Sequence, residues 1–338
     1  MERLNISNAL KLLSLFKQKG LLSKPQFYLL KDSLFGSGAE VLLILEGYDL
    51  SLLAAAENIN TLMDLFNKLE ELATKEAQKL LNTFYDEEAS TNAHQIANAT
   101  SVAHGDLRNK GEGRNFVYGE IEYDSFCTIL NIAMVGMKDK KKFVDLGAGL
   151  GKACLWVALT SSFEEILGIE VIEELVDQSH GIFVEFNKVM KKRSLHVGCS
   201  SLNLKHGDFL GEEYDWEEAD LIFANSTCFT EQLMMKLSVK SQVCKTGTRF
   251  ITFTSSLDSP YWKVIYKQQL AMSWGPATVI VHERLSSNEA TSLLQAGMSV
   301  SVSRPEEEGE DSDSAYELVD ENVWRDGNSF ENEDFEVL

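Results

Sequence analysis

Apolar residues recur at helical spacing through roughly the first eighty residues of the chain. The clearest series is Leu62, Leu65, Phe66, Leu69, Leu72 and Leu80. Ser23 followed by Pro25 is typical of a helix start, and three glycines between 36 and 47 divide the segment into short helices. The pattern predicts a helical module at 1–82, which is either a packing subdomain or a docking module for another protein.

The hydrophobic pattern changes after this module. Residues 83–117 are rich in polar side chains and include the sequence KGEG at 110–113, so we expect a connecting helix followed by a loop. From 118 to 285, helical stretches alternate with short β-branched runs at 142–146, 166–171, 202–205, 221–224, 250–253 and 278–282. This alternation predicts an α/β domain whose mostly parallel sheet carries helices on both faces.

The last part of the chain is strongly acidic. Between 305 and 338, fourteen acidic residues stand against one base, Arg325, and account for −13 of the formal net charge of −21. Such a segment buries too little apolar surface to offset its ordering entropy, so 286–338 is predicted to be a disordered acidic tail. The acidity predicts a basic protein partner and no strong direct nucleic-acid binding, because nucleic-acid affinity depends on basic residues that contact phosphates.

Composition sets the broad class of the protein. Hydrophobic residues make up 44% and charged residues 25% of the 338 residues, as in an ordinary globular protein. No uncharged apolar run reaches the roughly 18 residues of a membrane span, and the first residues do not form a signal peptide, so we expect an intracellular protein without membrane contact. The five cysteines include no Cys-x-x-Cys pair, which predicts reduced thiols and neither a disulfide framework nor a metal site.

Residues 143–151, with the sequence FVDLGAGLG, combine an apolar strand, an acid and a glycine-rich turn. Glycines here let the backbone turn tightly and approach a ligand at the start of a helix, although nicotinamide and flavin sites open in the same way. About twenty residues later, Glu170 closes the next strand, where a carboxylate can accept hydrogen bonds from both ribose hydroxyls. The alternative is that Glu170 caps the following helix.

Two further predicted strands are followed by side chains suited to a nucleoside. After the third strand, Asp208 offers an acceptor for an exocyclic amine and Phe209 a ring against which adenine can pack. Asn225 and Phe229 follow the fourth strand. Because the carboxyl ends of parallel strands meet at one edge of a sheet, these residues are expected to converge on one site.

Several motifs occur in the order and spacing of one family. They are YGE at 118–120, VDLG at 144–147, GIE at 168–170, GDFL at 207–210, FAN at 223–225 with Phe229, and MSWG at 272–275. Over roughly 116–285 the chain resembles the Dot-one-type (disruptor of telomeric silencing) lysine methyltransferases. The resemblance implies a Rossmann-like, seven-stranded methyltransferase sheet, S-adenosylmethionine as cofactor, a core histone as substrate, and a chromatin regulator in the nucleus.

The resemblance also implies roles for individual residues. The residues that would hold S-adenosylmethionine are Asp145, Gly147, Gly149, Glu170, Asp208 and Phe209. The residues that would wall the passage for the lysine amine are Tyr118, Glu120, Asn225 and Phe229. The chain departs from the family pattern at Ile121, Lys152 and Ser226, where the family has Thr, Gln and Asn, and it lacks the family's basic flank.

Methyl transfer to an amine is an in-line displacement, so alignment and exclusion of water can suffice and no catalytic role is assigned to Cys228 or His206. Three alternatives stay open. The substrate can be a non-histone cytosolic protein, since fold and cofactor do not fix the acceptor. The chain can be a non-catalytic acidic interaction protein on a methyltransferase scaffold. A nicotinamide dehydrogenase is the third, although that class does not require Asp145 before the turn or the motif GDF at 207–209.

Overall fold

The structure is a computed structural model that describes residues 6–35, 39–46, 59–103, 118–119, 121–137, 140–270, 272 and 275–295. Seven strands within these residues form one sheet. They are β1 (Lys142–Leu146), β2 (Glu165–Glu170), β3 (Ser201–His206), β4 (Leu221–Phe223), β5 (Arg249–Phe253), β6 (Trp262–Leu270) and β7 (Ala277–Arg284). The predicted α/β fold is therefore confirmed, and six of the seven strands lie close to the predicted runs, whereas β6 was not among them.

The strand order is β3-β2-β1-β4-β5-β7-β6. Neighbours from β3 to β5 are parallel, whereas β7 runs antiparallel to both β5 and β6. Strand order reverses beside β1, and in open α/β sheets ligands bind at such a switch point, outside the carboxyl ends of the strands. This is the Rossmann-like, seven-stranded arrangement that the resemblance implies.

Helices cover both faces of this sheet. They are α6 (Tyr123–Met134), α7 (Lys152–Thr160), α8 (Glu173–Lys192) and α9 (Glu231–Lys240). Side chains alternate between the two faces of a strand, and accordingly Phe143 belongs to the larger core with Leu155, while its neighbour Val144 belongs to a second core with Ile222 and Leu237.

Five more helices precede α6 among the described residues. They are α1 (Ile6–Gln18), α2 (Lys24–Phe35), α3 (Ala39–Glu46), α4 (Ile59–Leu81) and α5 (Glu87–Ala103). The first four share a small core of their own, including Leu13, Leu30, Leu45 and Leu69. However, α2 and α4 also contact α7, and Leu81 joins the larger core of the sheet.

The helix α7 has buried side chains around its whole circumference, from Ala153 to Leu159. A helix that is apolar all round needs cover on both sides. Here the sheet supplies one side, and α2 and α4 supply the other. The described residues up to Gln295 thus fall in one compact unit.

A further helix, α10 (Ser287–Gln295), lies inside the segment predicted to be disordered. Its first turn is fixed by a reciprocal cap, in which Glu289 N donates to Ser286 Oγ and Ser286 N donates to Glu289 Oε2 at 2.8 Å. Ala290 is buried. The rest of the tail, from 296, lies outside the described residues.

The structure also bears on membrane-spanning helices and disulfide bonds. Among the described residues, the helices are too short or too polar to cross a bilayer. The five cysteines all lie in the described part of the chain and form no disulfide bond.

Candidate active site

The glycine turn between β1 and α7 adopts a conformation that favours glycine. Gly147, Gly149 and Gly151 have φ of 82°, 54° and 77°, which lie in the left-handed region that favours glycine. Space is limiting as well, because a Cβ on Gly149 would lie 2.8 Å from Cε2 of Tyr118. A Cβ on Gly151 would lie 2.8 Å from the ring of Phe183. The turn therefore brings bare backbone against the rings that surround it.

A cavity of about 260 Å³ opens above this turn. Nine of the ten predicted site residues line it, namely Tyr118, Asp145, Gly147, Gly149, Glu170, Asp208, Phe209, Asn225 and Phe229. Eight of them close or follow β1 to β4, as the parallel sheet requires, whereas Tyr118 comes from the segment before α6. The tenth residue, Glu120, lies outside the described residues.

The carboxylate of Glu170 fixes two backbone segments beside the cavity. Its Oε2 accepts from Gly149 N at 2.8 Å, and its Oε1 accepts from Ile172 N at 2.9 Å. Burial raises the pKa of Glu170, and these backbone donors act in the opposite direction. The helix-capping alternative thus describes a real contact, yet each oxygen keeps a lone pair for a further donor, so capping and ligand binding are compatible.

Asp145 is a second buried carboxyl group on the cavity wall, and it is only 3% exposed. Its Oδ2 is approached by Cys154 Sγ at 3.9 Å. Burial, and then the charge of Glu170, raise the pKa of Asp145 to about 8. A cationic or hydrogen-bond-donating ligand would relieve the cost of burying this carboxylate.

Aromatic rings form an apolar part of the cavity. Phe209 and Phe229 are stacked with centroids 5.8 Å apart and an interplanar angle of 22°. The main chain of Phe209 is held by Trp216, whose Nε1 donates to the Phe209 carbonyl at 2.7 Å. Beside it, Asp208 Oδ1 accepts from Leu210 N at 2.8 Å, which orients this exposed carboxylate within the turn after β3.

Asn225 links the end of β4 to the segment that carries Tyr118. Its Nδ2 donates to the Gly119 carbonyl at 3.0 Å, and its Oδ1 accepts from Thr227 Oγ1 at 3.0 Å. Both polar ends of the amide are therefore engaged. This network positions the Tyr118 segment over the glycine turn.

Residues outside the predicted set also line the cavity or hold the glycine turn beside it, and three of them are of particular interest. Ala97 of α5 lines the cavity, and Tyr85, in the turn before α5, donates its hydroxyl to the Leu150 carbonyl at 3.1 Å. Lys152 also lines the cavity, and its Nζ lies 4.5 Å from the ring centroid of Tyr123. The helical segments precede the motif-bearing region, and local patterns do not reveal which of their residues reach the turn.

Comparison with known proteins identifies the family. A family model described as "Histone methylation protein DOT1" matches residues 98–270, just over half of the chain. The chain belongs to the DOT1 family. The matched segment of this DOT1-family chain contains all ten predicted site residues, including Glu120.

Two curated relatives are named histone-lysine N-methyltransferase, H3 lysine-79 specific. The Caenorhabditis elegans protein is 30% identical over 141 residues, which is 40% of this chain and 14% of the relative. The Emericella nidulans protein is 30% identical over 152 residues, which is 44% of this chain and 29% of the relative. The DOT1-family chain therefore matches less than a third of each relative's length.

Solved structures of methyltransferases are also similar to part of the chain. An O-methyltransferase from Bacillus cereus in complex with SAH is 15% identical with a TM-score of 0.38, covering 53% of this chain and 89% of that one. A putative RNA methyltransferase from Pyrococcus horikoshii is 14% identical with a TM-score of 0.37, covering 50% of this chain and 86% of that one.

The departures from the DOT1 pattern have distinct positions. Ile121 is buried against the cavity, and Lys152 lines it. Ser226, in contrast, turns away toward β5, where its Oγ accepts from Phe253 N at 2.8 Å and donates to the Phe253 carbonyl at 2.9 Å. Ser226 therefore secures the loop after β4, whereas Ile121 and Lys152 change the cavity wall itself.

Proposed function

We propose that the chain is an S-adenosylmethionine-dependent protein-lysine methyltransferase that acts on a core histone, with lysine 79 of histone H3 as the leading acceptor. The observation that carries the proposal is the convergence of buried acids and stacked aromatic rings on one cavity above the glycine turn. Family membership and the names of the relatives support the reaction and the substrate. The proposed place of action is the nucleus, where histones are packaged.

The cavity fits the cofactor by its chemistry. Glu170 has two oxygens suited to vicinal ribose hydroxyls, Asp208 an acceptor suited to an adenine amine, and Phe209 a face suited to the adenine ring. Asp145 is suited to the cofactor's ammonium group, because a cation favours the ionised form of this buried acid. A Cβ on Gly147 would project to 3.8 Å from Phe229, into the space above the turn. When bound, the cofactor supplies a methyl group on an electrophilic sulfonium.

The chain's own contribution to the reaction is positioning and desolvation. Tyr118 and Phe229 present apolar walls to the proposed lysine passage, and Asn225 holds the Tyr118 segment in place. An amine that enters such a site loses water and is held in line with the methyl donor, which lowers the barrier without a covalent catalyst. Glu120 remains a predicted member of this passage.

Methyl-label transfer tests the proposal directly. Purified protein would be incubated with methyl-labelled S-adenosylmethionine and, separately, with nucleosomes, free histones and a histone-depleted cell extract. We expect label on H3, mapped by mass spectrometry to lysine 79 and lost when that histone residue is replaced by arginine. The enzyme variant Asp145→Asn should abolish transfer, whereas Glu173→Gln, an exposed acid at the start of α8, should not.

The outcomes separate the competing functions. Label on a non-histone protein of the extract would retain the methyltransferase assignment and overturn the histone assignment. A protein that binds no S-adenosylhomocysteine at millimolar concentration, with no thermal stabilisation, would refute the enzyme class and favour a non-catalytic scaffold.

A further inference from the structure

A cluster of cationic side chains surrounds Tyr28 on the helical module. The Nζ atom of Lys17 lies 4.5 Å from the ring centroid of Phe27 and 5.6 Å from that of Tyr28. Lys31 Nζ also lies 5.6 Å from the Tyr28 centroid. The ring of His196, from the loop between α8 and β3, packs on Tyr28 with centroids 4.0 Å apart. Three segments of the chain thus contribute to one surface.

A third lysine, Lys24, lies four residues before Tyr28 on α2 and therefore on the same face of that helix. The pKa of His196 lies below its ordinary value, first because of desolvation and then because of the charges of Lys24, Lys17 and Lys31. Like charges lower the pKa of a histidine only when they lie near it. We call Lys17, Lys24, Lys31 and His196 the Tyr28 basic patch.

Acidic side chains do not neutralise this patch. The sequences of α1 and α2 contain one acid, Asp32, and Arg193 Nε donates to it at 3.2 Å. No carboxylate of the described residues forms an ion pair with Lys17, Lys24 or Lys31. Lys191 and Lys192, exposed at the end of α8, extend the positive charge.

The negative net charge of the chain does not cancel such a local field. At physiological ionic strength the Debye length is about 8 Å, so charges farther away are largely screened. Most of the formal charge, −13 of −21, belongs to 305–338. A ligand at the Tyr28 basic patch therefore responds to the lysines beside it rather than to the sum over the chain.

We propose that the Tyr28 basic patch binds the phosphate backbone of duplex nucleic acid. Lysine ammonium groups act as point charges that suit phosphates. The Tyr28 ring carries His196 on it, with Lys17 and Lys31 close by, so it offers no bare platform for stacking unpaired bases. The patch lies on helices and a loop, without the strand edge by which extended peptides are often bound.

Fluorescence anisotropy with the full chain tests this surface. The probe is a labelled random-sequence DNA duplex of about 30 base pairs, titrated at several salt concentrations from about 50 to 200 mM. The test variant is K17Q/K24Q/K31Q. Its matched control is K236Q/K263Q/K267Q, which removes three exposed lysines of α9 and β6 and changes the net charge equally. A rescue variant, K17R/K24R/K31R, keeps the charge.

We expect the test variant to bind duplex at least ten-fold more weakly at about 100 mM salt and to lose about 2.7 from the slope of log K against log salt, about 0.9 for each phosphate contact. The control and the arginine variant should bind as the unchanged protein does. Melting temperatures and S-adenosylhomocysteine binding verify that each variant is folded.

Several results would overturn the proposal. The unchanged protein could fail to bind duplex at about 50 mM salt. The test and control variants could lower the affinity for duplex equally. The protein could also bind poly-L-glutamate more tightly than duplex. The last would assign the patch to an acidic polypeptide. If the test variant does not fold, the single change Lys24→Gln, at an exposed position, must lower the slope by about 0.9. None of these results depends on methyl transfer, so the proposed function is tested separately.

Discussion

Replacing Glu170 by glutamine would test whether the buried acid at the end of β2 carries cofactor binding. Its two oxygens accept from the backbone N–H groups of Gly149 and Ile172. Each oxygen has a second lone pair, and these are the acceptors proposed for the two ribose hydroxyls. Glutamine has one acceptor oxygen, so its amide N–H would be directed at one of the two backbone donors.

The expected magnitude follows from the loss of charged acceptors. Hydrogen bonds to charged groups contribute about 1.5–3 kcal/mol, so Glu170→Gln should weaken S-adenosylhomocysteine binding by roughly 10- to 150-fold. Folding is affected in two opposing ways. The variant loses good acceptors for two backbone groups, but it also relieves the desolvation that raises the pKa of Glu170. We therefore expect the melting temperature to fall by a few degrees only.

Isothermal titration calorimetry and thermal unfolding would measure the two effects separately. Glu173→Gln is the matched control, since it removes one exposed negative charge from the first turn of α8 and should leave the Kd unchanged. If Glu170→Gln lowered the melting temperature yet bound S-adenosylhomocysteine normally, Glu170 would be a helix cap and turn anchor without a ligand role.

The remaining predictions concern the Tyr85 contact and two buried titratable groups. Tyr85→Phe removes the hydrogen bond to the Leu150 carbonyl. It should lower the free energy of unfolding by about 1 kcal/mol and weaken S-adenosylhomocysteine binding measurably, but by less than ten-fold. An unaltered Kd would show that this contact of the helical module does not influence the binding site. Because the pKa of Asp145 is raised to about 8 in the ligand-free protein, the contribution of this group to stability should decline as pH rises from about 4 to 8, so Asp145→Asn should make the stability profile less dependent on pH there. Binding of an ammonium group at pH 7 should release about one proton. Equal binding enthalpies in phosphate and Tris buffers would contradict that proton release. Burial lowers the pKa of His282 from 6.5 to about 4, so the contribution of His282 to stability should fall by up to about 3 kcal/mol as pH drops through this window, opposite in sign to that of Asp145. Thermal unfolding of His282→Gln should show a flatter pH dependence there, and an unchanged profile would assign the acid sensitivity to other groups.

The sequence predicted the strand-end residues because topology converts sequence order into spatial proximity. Asp145, Glu170, Asp208 and Asn225 each follow or close a parallel strand, and parallel strands bring such positions to one edge of the sheet. The glycines were predictable for a related reason, since positive φ values and close contacts leave glycine as the suitable residue.

The strand β6 was absent from the predicted runs. It lies at the edge of the sheet, beyond β7, and its sequence WKVIYKQQL exposes many polar side chains. A register shift between Val264 and Tyr266 further disturbs the alternation that would mark a half-buried strand. Edge strands contact one neighbour only, so their sequences carry a weaker hydrophobic pattern.

The contact between the helical module and the glycine turn was not predictable from local pattern. Tyr85 lies 65 positions before Leu150, and Ala97 is a small residue whose place in the cavity wall depends on how α5 packs. Neither carries a motif. Both contacts depend on tertiary packing: α2 and α4 cover the apolar helix α7, and α5 packs against α8.

The net charge of the chain and the charges at a given surface predict different ligands. The net value of −21 predicts repulsion of phosphate, yet it combines a segment that carries −13 with lysines around Tyr28 that form no ion pair with a carboxylate of the described residues. Basic and acidic side chains also occur close together in the cavity, where Lys152 lines the same wall as the carboxyl groups of Asp145 and Glu170. Screening in water makes each of these environments nearly independent of the others. The ligand class of a surface therefore depends on charges within about one Debye length of it, and in this chain the ionisable side chains are mostly acids at the proposed cofactor cavity and lysines at the Tyr28 basic patch.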